Sequence, residues 1–71
     1  MNIFFTLPDS QQFTVKDGLP PEEGQSVFFS PVSMADLVEY VVTEVRYEVY
    51  KMGINTDAPT SARYVVTLEE A

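Results

Sequence analysis

The chain has 71 residues, of which 45% are hydrophobic, and eleven Asp and Glu against four Lys and Arg give it a formal net charge of -7. This length allows one small domain, residues 1–71, and the hydrophobic fraction is too high for a disordered chain. The negative charge repels phosphate backbones and anionic lipid, so we expect no direct binding to nucleic acid and none to a membrane. A basic protein surface is the complementary partner.

No apolar run approaches the roughly 20 residues that a membrane-spanning helix needs, and the start "MNIFFTLPDS" lacks the basic region of a signal peptide. The chain has no cysteine, which permits a reducing compartment. From these features we expect a soluble, cytoplasmic protein.

The first elements along the chain are short strands. The run "NIFFTL" alternates, with Ile3 and Phe5 on one side, and the turn "LPDSQ" leads into "QFTVK", so the two runs predict a hairpin. The loop "DGLPPEEG" follows, and "QSVFFS" predicts a third strand. Near the other end, "ARYVVTLEE" predicts a strand with Tyr64, Val66 and Leu68 on one face.

The central segment "SMADLVEYVVTEVRYEVYKMG" has two interpretations. It alternates like a strand from Glu44 to Lys51, but over its whole length the apolar residues fall within roughly 100° of a helical surface. A strand of this length would be unusual. The helical stripe comprises Met34, Val38, Val41, Val42, Val45, Val49 and Met52.

The ends of this segment also favour a helix, because Ser33 and Asp36 resemble a capping pair, and Gly53 followed by Ile54 resembles a helix end. We therefore predict a helix over about residues 34–52 in a two-layer α+β domain of order β-β-β-α-β. The helix would cover a three- or four-stranded, mainly antiparallel sheet. The predicted core facing the valine stripe is Phe5, Phe13, Phe29, Val66 and Leu68.

Catalysis is not expected, because the chain has neither histidine nor cysteine, the usual bases, nucleophiles and metal ligands. Glu44 and Glu48 could form a carboxylate pair, but a solvated acidic helix face explains them better. The loop "NTDAPTS" lacks the glycine and the closing glutamate of a calcium loop. We predict a non-enzymatic binding protein with no cofactor and no metal site.

The candidate binding surface is the polar face of the predicted helix, where carboxylates alternate with tyrosines. Tyrosine offers a large contact area at a low cost in side-chain entropy, which suits protein interfaces. The predicted partner-binding residues are Asp36, Glu39, Tyr40, Glu44, Tyr47, Glu48 and Tyr50. The sequence leaves open whether this surface also includes Glu22, Glu23, Asp57, Glu69 and Glu70.

In size, charge and element order, the compact, acidic, cysteine-free chain resembles small phage-encoded inhibitors of host defence, including anti-CRISPR proteins that occupy nucleic-acid channels. The resemblance implies an inhibitor that acts as a nucleic-acid mimic on a basic, nucleic-acid-binding surface in the cytoplasm of a host cell. The alternative is a structural or assembly module that forms a homodimer, or docks to a larger complex, through exposed tyrosines or a sheet edge. A monomer and a homodimer both remain open.

Overall fold

The computed structural model describes residues 1–30, 36–51 and 60–71, and in these ranges it contains strands and no helix. Accordingly, no described part of the chain forms a helix with the length and apolarity needed to cross a membrane. The predicted helix ends, at Met34 with its Ser33 cap and at Met52 with Gly53 and Ile54, lie outside the described residues. The strands are β1 (Ile3–Thr6), β2 (Gln12–Val15), β3 (Ser26–Phe29), β4 (Val38–Lys51) and β5 (Thr60–Glu70).

The five strands form one mixed sheet in the order β2-β1-β5-β4-β3. β1 and β2 pair antiparallel, which confirms the predicted hairpin. β4 pairs antiparallel with both β3 and β5, whereas β1 and β5 run parallel. The sheet therefore has more strands than the three or four predicted, and β1 lies inside it rather than at an edge.

The predicted helix is wrong, because the described part of that segment is the long strand β4. β4 pairs with β5 from Tyr40 opposite Glu70 to Lys51 opposite Thr60, so its backbone groups are bonded across the sheet rather than along a helix. The α+β class and the order β-β-β-α-β are wrong with it. Valine and tyrosine, which are frequent in this segment, fit a pleated sheet well.

A β-bulge explains why β4 resembles a helix in sequence. Val42 lies opposite Leu68 and Glu44 lies opposite Thr67, so that Thr43 is an extra residue without a partner of its own. The extra residue places Val42 and Val45 on the same face although they are three positions apart. A spacing of three is what a helix would produce, and the two-residue period returns after the bulge.

One face of the sheet, called here the inner face, carries the core. Its buried side chains are Ile3, Phe5, Leu7, Val42, Val66 and Leu68. Phe13, Phe29, Val45 and Tyr64 are partly buried and pack against them. The predicted core and the predicted face of the last strand are therefore confirmed. Three described members of the valine stripe do not belong to the core: Val38 is 40% exposed, Val49 is 57% exposed, and Val41 lies on the outer face of the sheet.

The sheet curls over its inner face, so that its two edge strands approach each other. The rings of Phe13 in β2 and Phe29 in β3 stack with their centroids 4.0 Å apart, and Phe13 also stacks on Phe5 at 4.7 Å. No Cα atom of β2 lies within 8 Å of a Cα atom of β3, so the two backbones are not hydrogen-bonded to each other. The two edge strands β2 and β3 are therefore held together by stacked aromatic rings and not by backbone hydrogen bonds.

The β4–β5 pair extends beyond the rest of the sheet. β1 pairs with β5 only from Tyr64 onward, so residues 47–51 and 60–64 form a mainly two-stranded ribbon, called here the arm. The arm contributes to an elongated molecule that measures 47 × 23 × 21 Å. The opposite end of the molecule is formed by β3, the start of β4 and the end of β5.

Candidate functional site

The strand structure of β4 divides the predicted binding residues between the two faces of the sheet. Tyr40 and Tyr47 lie on the inner face, in line with Val42 and Val45, whereas the other four strand residues lie on the outer face. Those four are Glu39, Glu44, Glu48 and Tyr50. The predicted surface, in which all the tyrosines and carboxylates lie together, is therefore not formed.

The two inner-face tyrosines have different environments. Tyr40 is partly buried and packs against the core, where it contributes to stability rather than to an exposed surface. Tyr47 is 56% exposed, and its ring centroid lies 5.1 Å from that of Tyr64 on the adjacent strand, with the rings tilted by 44°. The Tyr47 side chain is therefore exposed to solvent, whereas the Tyr40 side chain is partly covered.

On the outer face of the arm, Glu48 is at the centre of a polar cluster. Its Oε1 accepts a hydrogen bond from Arg63 Nε at 2.9 Å and a second one from the Tyr50 hydroxyl. Arg46 lies beside it, with Nη2 3.5 Å from Glu48 Oε2 and Nε 3.2 Å from Glu44 Oε1. Both carboxylates that the sequence places in this segment are therefore offset by arginines.

Arg63 also contacts two aromatic rings in this cluster. Its guanidinium carbon lies 4.8 Å from the centroid of Phe4 and 5.0 Å from that of Tyr50, which are cation–π distances. Arg63 was not predicted from the sequence, since its position opposite Glu48 is known only once the register of β4 and β5 is known. The cluster ties the arm to β1 through Phe4.

The contacts of the cluster change the acidities of its members. The hydrogen bond from Tyr50, and then Arg63, lower the pKa of Glu48 below its ordinary value of 4.5. The same hydrogen bond raises the pKa of Tyr50, and the bond to Glu48 raises the pKa of Arg63. At neutral pH the cluster therefore holds a charged carboxylate against charged guanidinium groups, with the phenol protonated.

An open cavity of about 260 Å³ lies next to this cluster. It is lined by Asn2, Phe4, Tyr50, Ser61, Ala62 and Arg63. The one charged group in its lining, Arg63, is already paired with Glu48. In the parts of the chain that the structure describes, no group of three or more acidic side chains could hold a metal ion. The lining offers hydrogen-bonding groups but no nucleophile with an adjacent base.

The carboxylates at the other end of the molecule have a different environment. On the outer face Glu39 lies opposite Phe28 and Glu69 lies opposite Val41. Glu70 lies opposite Tyr40 on the inner side, and Asp36 precedes β4 by two residues. We call this group the acidic end: Asp36, Glu39, Glu69 and Glu70. Within residues 1–30, 36–51 and 60–71, none of the four forms an ion pair.

A scan against models of known protein families, a search of curated proteins and a search of solved structures found no match to this chain.

Exposed apolar side chains accompany the acidic end. Phe28 is 59% exposed and Leu37 is 57% exposed. Glu39 accepts a hydrogen bond from Ser26 Oγ at 2.8 Å, which fixes its carboxylate on the same face as Phe28. The Phe28 ring and the Glu39 carboxylate therefore lie on adjacent strands of the same exposed face.

The structure also locates the acidic residues that the sequence left open. Glu69 and Glu70 belong to the acidic end. Glu22 and Glu23 are exposed in a turn beside β4, which is anchored by hydrogen bonds from Gly24 N to Val42 O at 2.8 Å and from Val42 N to Gln25 O at 3.0 Å. Asp57 lies outside the described residues.

Charge is thus separated along the length of the molecule. Three of the four positive side chains, Arg46, Lys51 and Arg63, lie in the arm or directly before it, together with Glu44 and Glu48. The acidic end lies roughly 35 Å from Lys51 at the tip of the arm, at about 3.3 Å per residue pair along the two strands, and roughly 15 Å from Glu44. Within β4 and β5, the carboxylates without an ion pair are therefore concentrated at the acidic end.

Proposed function

We propose that the chain is a non-enzymatic binding protein whose acidic end docks on a basic surface of a partner protein. The partner is one that uses this surface to hold nucleic acid, so that the bound chain competes with the nucleic acid and acts as an inhibitor. The cytoplasm is the proposed compartment, in a host cell if the chain is phage-encoded. The observation that carries the proposal is the charge separation: among the described residues the four carboxylates of the acidic end form no ion pair, and the same end of the molecule exposes Phe28.

Electrostatic steering favours the acidic end as the contact surface. The carboxylates near the arm are offset by Arg46 and Arg63, whereas those of the acidic end are not. A basic surface is therefore attracted to the acidic end first, and opposing charges raise the association rate more than they raise the affinity.

The exposed ring of Phe28 supplies apolar contact area, which the carboxylates of the acidic end do not. Interfaces are enriched in aromatic side chains, and a few such residues account for most of the binding energy. Phe28 is held on an edge strand with one carboxylate directly opposite, at Glu39. The proposed site retains Asp36 and Glu39 from the sequence prediction and adds Glu69, Glu70, Phe28 and Leu37.

The test begins with a pull-down from nuclease-treated lysate, followed by binding measurements with the purified partner. Reversing two charges in Glu39→Lys/Glu69→Lys should weaken binding at least about 10-fold and reduce its salt dependence, because both residues face the basic surface. The matched control is Glu44→Lys/Glu48→Lys, which changes the net charge equally but near the arm. It should have a much smaller effect.

Two outcomes would contradict the proposal. An equal loss in the two double variants would mean that only net charge matters. A complex of partner, nucleic acid and this chain without mutual weakening would mean that the basic surface is not the binding site. Phe28→Ala should cost at least about 1 kcal/mol of binding free energy and leave the salt dependence unchanged.

A further inference from the structure

The inner face of the arm is apolar and uncovered. Tyr47 and Val49 are more than half exposed, and Tyr64 and Ala62 lie opposite them on β5. A two-stranded ribbon is marginally stable in water by itself and is normally stabilised by packing against something else. In the described ranges, the core reaches this face only at Tyr64, and Tyr47 and Val49 lie beyond it.

The distribution of charge favours a second copy of the chain as the molecule that covers this face. Two chains of charge -7 repel each other, and most of that charge lies away from the arm. Two copies that meet arm to arm keep their acidic ends far apart, each roughly 35 Å from its own arm tip, whereas salt screens charges beyond about 8–10 Å.

The order of side chains on the inner face of β4 is itself self-complementary. Tyr47, Val49 and Lys51 follow one another at two-residue spacing, and Lys51 is the one charged side chain on this face of the described arm. A two-fold axis through Val49 places each Lys51 over Tyr47 of the second copy. An ammonium over a tyrosine ring is a favourable cation–π contact, and the symmetry forms it twice.

We propose that the inner face of the arm is a self-association surface, through which two copies pair antiparallel about Val49. This inference goes beyond the proposed function, because the dimer leaves both acidic ends free at opposite ends of the assembly. The arm is small against the roughly 800 Å² per partner of a standard interface. The dimer is therefore weak, with a dissociation constant in the micromolar to millimolar range.

Sedimentation equilibrium of the full chain tests self-association directly. Between about 10 μM and about 1 mM protein, the dimer fraction should rise with concentration. It should also rise between about 50 mM and about 500 mM NaCl, because salt screens the repulsion between two acidic chains. A monomer throughout this range overturns the proposal. Dissociation by salt also overturns it, since that would indicate attraction between opposite charges.

Two exposed valines of β4 give a matched pair of variants. Val49→Asp should weaken the dimer at least about 10-fold, because it puts a carboxylate at the axis, whereas Val38→Asp should leave it unchanged. Both side chains are exposed, so circular dichroism should show both variants folded. An equal effect of the two substitutions overturns the proposal. Glu39→Lys/Glu69→Lys should not weaken self-association, because it lowers the repulsion between the two acidic chains, and this result separates the test from that of the proposed function.

The absence of cysteine from the chain allows a test of the axis itself. Sheets that pack face to face lie about 10 Å apart, which is too far for a disulfide between residues on the axis but within reach of a short bis-maleimide cross-linker. Val49→Cys should be cross-linked to a dimer by this reagent at least about 10-fold faster than Val38→Cys, which should react only on random encounter. Equal rates would overturn the antiparallel arrangement about Val49.

Discussion

Phe13 and Phe29 stack with their ring centroids 4.0 Å apart, although β2 and β3 lie at opposite edges of the sheet. The two rings cover the inner face where no backbone hydrogen bonds join the strands. Together with Phe5 they form a continuous stack that crosses the core. The curled shape of the sheet thus depends on side chains that are far apart along the chain.

Removing either ring of this pair should destabilise the domain measurably. We expect Phe13→Ala and Phe29→Ala each to lower the free energy of unfolding by about 2 kcal/mol, less than for a fully buried phenylalanine. The double variant should reveal a coupling of about 0.5–1.5 kcal/mol between the rings. Urea denaturation provides the measurement. Phe28→Ala, on the exposed face of the same edge strand, is the control and should change stability by about 0.5 kcal/mol or less.

Deleting Thr43 tests the bulge in β4. Without this residue the strand is regular and every other side chain keeps its face, so the deletion should cost on the order of 1 kcal/mol, mainly for the lost hydrogen bond from Thr43 Oγ1 to Thr67 O. Deleting Arg46 instead shifts the rest of β4 by one residue and turns Glu48 toward the inner face. Thermal melting should show a large loss for this second deletion. Equal costs would mean that the bulge does not set the register.

Two valines on the inner face of β4 should respond differently to the same charge. Val45 packs against the core, so Val45→Asp buries a carboxylate without a partner and should cost at least several kcal/mol or unfold the domain. Val49 lies on the exposed arm, and Val49→Asp should cost about 1 kcal/mol or less. Both variants should be compared by urea denaturation at low protein concentration. Similar costs would contradict the boundary of the core between these positions.

The Glu48 cluster should make stability depend on acid. Because the pKa of Glu48 is lower in the folded chain than its ordinary value of 4.5, the unfolded chain binds the proton more tightly. The stabilisation by this group is therefore fully present above pH 4.5 and is lost as the pH falls through the folded pKa. Glu48→Gln should be less stable than the wild type at neutral pH, and the difference should shrink on acidification. Denaturation curves at a series of pH values measure it.

A second substitution identifies the cause of the lowered pKa. Tyr50→Phe removes the hydrogen bond that lowers the pKa of Glu48 most, so the acid-dependent loss of stability should be smaller than in the wild type and should be complete at a higher pH. Thr14→Val, on an exposed position of β2, is the control for an unrelated hydroxyl. A curve for Tyr50→Phe that coincides with the wild type would contradict the role of this hydrogen bond.

The short strands were predictable because their signals are local. Apolar and polar residues alternate in two short runs with turn residues between them, and this pattern identified the β1–β2 hairpin. The same two-residue repeat in β5 places Val66 and Leu68 on one face. Val45 was assigned to the core for the wrong reason, because it belongs to the core as a strand residue and not as part of a helical stripe. Because of the bulge at Thr43, the inner-face residues Val42 and Val45 are three positions apart, whereas those on either side of the bulge are two positions apart. This mixed spacing of apolar residues resembles that of a helix.

The candidate site was less predictable, because the face on which each β4 residue lies differs between a helix, with 3.6 residues per turn, and a strand, with a two-residue repeat. Asp36 and Glu39 were named and belong to the acidic end, but nothing local in the sequence brings Glu69 beside them. The pairing of Glu48 with Arg63 likewise depends on a register between distant strands. Charge composition correctly indicated an acidic surface, but the location of that surface is a tertiary property.

The parallel pairing of β1 with β5 determines when the domain can fold. β1 can pair with β2 as soon as both strands are synthesised, but its other neighbour, β5 at Tyr64, is synthesised much later. Contacts between residues so far apart in sequence slow folding. At about 5–20 residues per second, the early hairpin waits roughly 2–10 s with Phe5 and Phe13 uncovered. During that interval the nascent chain exposes an apolar, unpaired strand edge, a feature that promotes aggregation of incomplete chains until β5 is synthesised.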